Sequence, residues 1–108
     1  MATNSALPST AAFAETAALV GHPARANMLT ALLDGRALTA TELARSAGIT
    51  PQTASSHLAR LAGAGLLAIE RQGWHRYHRL ATPAVAHMLE GIMAVAEAGP
   101  AWRAPFAP

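Results

Sequence analysis

No cysteine and no lysine occur among the 108 residues of this chain. The first absence excludes disulfides, thiolate metal sites and thiol redox sensing within the sequence. The second makes every basic side chain that stays charged at neutral pH an arginine. Charged residues make up only 13% and aromatic residues 5% of the chain, and the abundance of alanine suits packed helices better than a disordered polymer. No apolar run approaches the roughly 18 residues that span a bilayer. The amino terminus has no basic region followed by an apolar stretch, so no secretory signal is read there. The expected location is cytoplasmic, with no membrane partner. A chain of this length is expected to form one domain around a modest core.

What charge there is falls unevenly. Residues 41–80 hold Arg45, Arg60, Arg71, Arg76 and Arg79 against Glu42 and Glu70, whereas the remainder holds three arginines against four acids. The positive field is therefore concentrated on one stretch, as a nucleic-acid-reading segment requires, although a solvated surface would produce the same count.

Residues 1–10 include Pro8 and have little periodicity, and are expected to be a flexible arm. A domain is expected over 11–98. Phe13, Ala17 and Val20 recur at helical spacing up to Gly21. His22-Pro23 opens a second helix with proline at its first position, and Met28, Leu29, Leu32 and Leu33 form its apolar stripe up to the stop at Asp34-Gly35. Thr39-Ala-Thr-Glu42 fits a capping box at the head of a short third helix ending at Ser46. Gly48-Ile49-Thr50-Pro51 is a turn, with Thr50 as N-cap and Pro51 opening a fourth helix that runs to about Ala62. Two helices joined this way make a helix-turn-helix, whose second helix can lie in the DNA major groove.

At about 100° per residue, Ala54, Leu58 and Leu61 share one narrow face of that fourth helix and should pack inward. Gln52, Ser56 and Arg60 lie nearly opposite, flanked by Thr53 and Ala59. The outward face is short, polar and ends in a cation. Glutamine can read adenine edges, serine and threonine serve bases or phosphates, and arginine holds guanine or phosphate. Small residues also let the helix backbone approach the groove floor. An ordinary solvent-exposed face is the alternative explanation of the same pattern.

Leu66–Arg71 and Trp74–Leu80 read as two strands with Gln72-Gly73 at the tip, a β-hairpin wing. Arg71, Gln72, Trp74, His75 and Arg76 near that tip suit a minor groove or flanking phosphates. Alternation puts Trp74, Arg76, His78 and Leu80 on one face, with His78 expected to be buried. Thr82 caps a last helix from Pro83 to about Ala98, striped by Val85, Met88, Leu89, Ile92, Val95 and Ala96. With Phe13, Ala17 and Val20 of the first helix, this is more apolar surface than one small domain needs to cover. A two-fold dimer through Phe13, Ala17, Val20, Val85, Met88, Leu89, Ile92 and Val95 is the expected use, against plain packing within one chain. Residues 99–108 contain Gly99, Pro100, Pro105 and Pro108 with Trp102 and Phe106, and are expected to be an irregular tail.

These runs resemble the ArsR/SmtB family of winged-helix repressors. The matching segments are Gly21-His-Pro-Ala-Arg25, Glu42-Leu-Ala44, Ser55-Ser-His-Leu58, Leu61-Ala-Gly-Ala-Gly-Leu66 and Arg71-Gln-Gly-Trp-His-Arg-Tyr77-His-Arg-Leu80, over about residues 12–97. The resemblance implies a mainly α winged helix-turn-helix of order α-α-α-α-β-β-α. It implies a homodimer through the first and last helices that binds a palindromic double-stranded operator and releases it when an inducer arrives. It also places Gln52, Thr53, Ser55, Ser56 and His57 where the family's recognition helix meets DNA. Sensing departs from the pattern: the family's paired cysteines are replaced by Thr39 and Thr41. Its last-helix metal ligands are replaced by Thr82, Ala84, Val95 and Ala98, none of which suits a soft or borderline metal.

Other chemistry is less well supported. His87 and Glu90 stand one turn apart, a chelating spacing, but two ligands make no tight site without a second copy. A zinc- or nickel-type sensor with a non-standard histidine site therefore stays an alternative, while no metal or cofactor is assigned. Ser55, Ser56 and His57 are adjacent on a helix and point in different directions, so they form no nucleophile–base pair, and no enzyme is expected. A protein-interaction module on a winged-helix frame is the other alternative.

Overall fold

The structure, a computed structural model describing residues 9–100, has the expected element order. Helices α1 (Thr10–Gly21), α2 (Pro23–Thr30), α3 (Ala40–Ala47) and α4 (Pro51–Gly63) precede strands β1 (Leu67–Gln72) and β2 (His75–Leu80), and α5 (Pro83–Ala98) closes the domain. The helix starts carry their own capping chemistry. Thr39 and Glu42 form the capping box, and the Thr50 and Thr82 hydroxyls accept from the Thr53 and Val85 N–H groups. No helix among the described residues is long and apolar enough to cross a membrane.

Several boundaries differ from the sequence reading. Ser9 and Thr10, assigned to the arm, are the N-cap and first residue of α1, because the Ser9 hydroxyl accepts the Ala12 N–H at 2.9 Å. The rest of that arm, and the tail with Trp102 and Phe106, lie outside the described residues. The second helix ends at Thr30 rather than Leu33. Beyond it the chain tightens into i+3 turns, with the Leu32 N–H on the Leu29 carbonyl and the Leu33 N–H on that of Thr30, before Gly35 reverses it at φ 89°. The wing is shifted by one residue: Gln72 pairs with His75, so the two-residue turn is Gly73-Trp74. Gly73 takes φ 61°, the positive value that a tight hairpin favours at its first position. Trp74 is therefore a turn residue and not the first residue of a strand.

The core is assembled around the helix-turn-helix. Met28, Leu29 and Leu32 meet Leu43 and Ala44 of α3, and Ala54, Leu58 and Leu61 of α4 close over them. Leu66 and Leu67 at the root of the wing and Val85 and Leu89 from the first half of α5 complete it. An additional bridge was not legible in the periodicity. Leu38, just before α3, pairs with His78 in β2, through N–H to carbonyl bonds of 2.9 and 2.7 Å. It ties the wing directly to the entrance of the helix-turn-helix.

Three of the residues expected at a dimer interface, Val20, Val85 and Leu89, also belong to the protomer's own core. Helix α5 lies on the core through its first two turns only, so from Glu90 to Ala98 its residues are exposed. Phe13 (73% exposed), Ile92 (49%) and Val95 (74%) stand free, together with Ala17, the partly buried Met88, and Met93, which sequence reasoning had not singled out.

Candidate nucleic-acid interface

The turn between α3 and α4 decides how the second helix is presented. Gly48 closes α3 in the left-handed region at φ 68°, and the Ile49 N–H reaches back to the Ala44 carbonyl at 3.0 Å. Thr50 then starts α4: its hydroxyl accepts the Thr53 N–H at 3.1 Å and donates to the Thr53 hydroxyl at 2.9 Å. Burial of Ala54, Leu58 and Leu61 leaves Gln52, Thr53, Ser55, Ser56, Ala59 and Arg60 exposed along the opposite side. The result is a narrow ridge of small polar side chains, with Gln52 and Thr53 in the first turn.

The wing forms the other wall of a trough. An open groove of about 320 Å³ runs between α4 and the hairpin, lined by Thr39, Thr41, Ser55, Ala59, Trp74 and Arg76 among others. In the ladder Arg71 stands opposite Arg76 and Gln72 opposite His75, all four exposed. Glu70 is taken by Arg79 at 2.8 Å, further back along the wing. No carboxylate among the described residues pairs with Arg71, Arg76 or Arg60. Arg60, from the far end of α4, borders a different groove of about 460 Å³, shared with Glu15, Thr16 and Arg25. It thus lies toward α1 rather than over the trough.

His57 is the site residue that the fold sends elsewhere. It is half-buried, with its Nδ1 3.0 Å from Nη1 of Arg25 and its ring 4.7 Å from that of His22. Arg25 is an obligate donor, so Nδ1 must accept and the neutral ring carries its proton on Nε2. Arg25 itself is 93% covered and donates from Nε to the Leu19 carbonyl at 2.6 Å. The cluster joins the end of α1 and the start of α2 to the middle of α4. No periodicity in α4 could have revealed it, because the partner lies 32 residues earlier.

Burial, then the nearby His22, Arg25 and Arg60, hold the His57 pKa below its ordinary value. His78 is also lowered, by burial and by Arg76, against the opposing effect of its bond to the Leu38 carbonyl. Both rings are therefore favoured neutral in the folded chain. As pH falls below about 6.5 the unfolded chain binds these protons first, so stability present above that pH is lost as it falls through the lowered values. Melting temperature is expected to drop from about pH 7.5 to about pH 5. His57→Gln, whose amide oxygen can still accept from Arg25, should flatten part of that fall; an unchanged profile would show that His57 does not contribute to it. His87 and Glu90 are exposed on α5, and no three potential metal ligands cluster among the described residues.

Residues 20–70 match a family described as a helix-turn-helix domain. Over 83 residues the chain is 43% identical to the HTH-type transcriptional regulator YdfF of Bacillus subtilis (strain 168). That match covers 77% of this chain but only 37% of YdfF's length. Among solved structures, the antimony-specific transcriptional repressor AntR is 30% identical, with 91% of this chain and 96% of AntR covered at a TM-score of 0.65. The homodimeric winged helix-turn-helix DNA-binding domain of a possible ArsR-family regulator from Mycobacterium bovis is 26% identical. There 89% of this chain and 92% of the other are covered at a TM-score of 0.69.

Proposed function

The chain belongs to the winged helix-turn-helix family of ArsR-type transcriptional regulators, and from that footing we propose that it is a homodimeric repressor. It binds a palindromic operator through paired α4 ridges and leaves it when an inducer binds. The observation that carries this reading is the two-sided character of α4. One face is locked into the core by Ala54, Leu58 and Leu61, and the first two turns of the other offer the hydrogen-bonding side chains of Gln52, Thr53, Ser55 and Ser56 to whatever lies in front of them. Gln52, Thr53, Ser55 and Ser56 take the base edges and nearest phosphates. Thr50, also exposed, has its hydroxyl committed to capping and fixes the helix start rather than reading bases. Arg71 and Arg76 hold flanking phosphates, with Gln72 and His75 between them.

Dimerisation through the free apolar face of α1 and α5 would set two ridges about one helical turn of DNA apart. Within this domain the signal acts without a thiolate: the chain has no cysteine, and Thr39 and Thr41 stand where the family pattern it resembles places a cysteine pair.

Footprinting on DNA upstream of the protein's own gene, followed by affinity measured against salt, tests the reading. Log affinity should fall linearly with log salt, and Arg71→Ala should reduce the slope by about 2 per dimer, one for each lost phosphate contact. Gln52→Ala should instead cost about 1–3 kcal/mol of discrimination between operator and altered operator, with the slope retained. Protein that binds no duplex, or whose affinity ignores both salt and Gln52, would favour a protein-interaction module on the same frame.

A further inference from the structure

Trp74 is 99% exposed, the largest apolar side chain among the described residues to be left wholly in water. It occupies the second position of a two-residue turn whose first residue, Gly73, carries no side chain. The tip is therefore slim as well as apolar. Immediately behind it Arg71 and Arg76 face each other across the ladder, an unfavourable pairing of like charges when no anion is present. The six residues Arg71–Arg76 contain no carboxylate. The base of the hairpin is held by the Leu38–His78 bridge and by the buried Leu67, so the tip keeps its position relative to α4 across the trough. A bare indole flanked by two uncompensated guanidinium groups on a braced hairpin matches a polyanion whose interior is stacked aromatic rings.

We infer that Trp74 is a wedge. With the α4 ridge in the major groove, the wing tip enters the adjoining minor groove, Arg71 and Arg76 take the phosphates on its two sides, and the indole presses into a base step. That step is partly unstacked and the duplex bends there. Pyrimidine–purine steps such as TA and CA yield most easily, so the protein selects sequence at the flanks of its operator by deformability, without hydrogen bonds to those bases. This inference rests on the DNA-binding reading above, and its test separates the two.

Wild-type protein, Trp74→Phe and Trp74→Ala are compared on the footprinted duplex, with bend angle read by end-to-end fluorescence transfer. Indole emission is followed in a Trp102→Phe background, where Trp74 is the sole tryptophan. Trp74→Ala should melt like the wild type, since the side chain touches no core. It should bind about tenfold or more weakly and lose most of the bend, while Trp74→Phe keeps the larger part of both. Indole emission should be quenched by duplex. Replacing the flanking flexible step by a stiff A-tract should weaken wild type and leave Trp74→Ala almost unaffected, which is the signature of coupling between that residue and that step.

Equal affinity, bend and step preference for wild type and Trp74→Ala would overturn the wedge while leaving the regulator reading intact. Failure of wild-type protein to bind any duplex would overturn both. Emission that shifts with anionic phospholipid vesicles but not with duplex would overturn the wedge in favour of a membrane surface.

Discussion

Joint replacement of Ile92 and Val95 by glutamate is expected to yield a folded monomer that has lost about 100-fold or more in operator affinity. Both side chains lie on the second half of α5, clear of the protomer's core, so carboxylates there meet water in the isolated chain and leave its stability nearly unchanged. In a two-fold dimer through this face, the same carboxylates would be buried without partners, at a cost that such an interface cannot offset. The face is well formed for a second copy. Two open, almost wholly apolar grooves, of about 420 and 310 Å³, run along it, one beside Phe13 and Met88 and the other beside Leu89 and Met93. A monomer holds one half-site and forfeits the effective concentration that tethering provides, commonly worth 10²- to 10⁴-fold. Sedimentation velocity and gel shift read the two effects together. A variant that stays dimeric would refute this interface. A monomer with undiminished operator affinity would refute binding to paired half-sites. Substituting Val20, Val85 or Leu89 cannot make the distinction, because those residues hold the protomer itself together.

Arg25→Ala is expected to destabilise the domain by about 3 kcal/mol, because it leaves several polar groups without their charged donor. For a domain of this size that is a fall in melting temperature of roughly 10–20 °C. Helix α1 buries only Val20 of its own residues. The Arg25 Nε bond to the Leu19 carbonyl, with a longer contact from Nη2 to that of Ala18, is therefore a principal tether for the helix. The same guanidinium holds His57 through Nη1, so the middle of α4 loosens when it is lost, and operator affinity should fall along with stability. Arg25→Lys should recover only part of both, since one ammonium on a flexible stem cannot satisfy three acceptors set in different directions. Thermal melts of the two variants decide the matter: an Arg25→Ala protein melting within a few degrees of wild type would show that α1 is held by other means.

Much of the architecture could be read residue by residue. Pro23, Pro51 and Pro83 each follow a capping residue and each opens a helix, because proline's missing N–H and preset φ suit that position alone within a helix. Ala54, Leu58 and Leu61 could be assigned to the core from spacing, since a regular helix repeats its directions every 3.6 residues. The paired wing strands could likewise be found, but not the residues at their tip. One glycine admits two neighbouring turn registers, and the choice between Gln72-Gly73 and Gly73-Trp74 depends on how both strands seat against the core.

Local pattern, then, determined which segments are helices, where they begin, and which edge of α4 faces water, because these follow from backbone geometry within a few residues. Only the folded chain decided the partner of His57, the bridge from Leu38 to His78, the solitary position of Trp74, and the division of the α1 and α5 stripes. Burial of apolar surface has no preferred direction. A valine at the inner end of a stripe and one at the outer end look alike in sequence. The angle at which α5 leaves the core makes Val85 a core residue and leaves Val95 free.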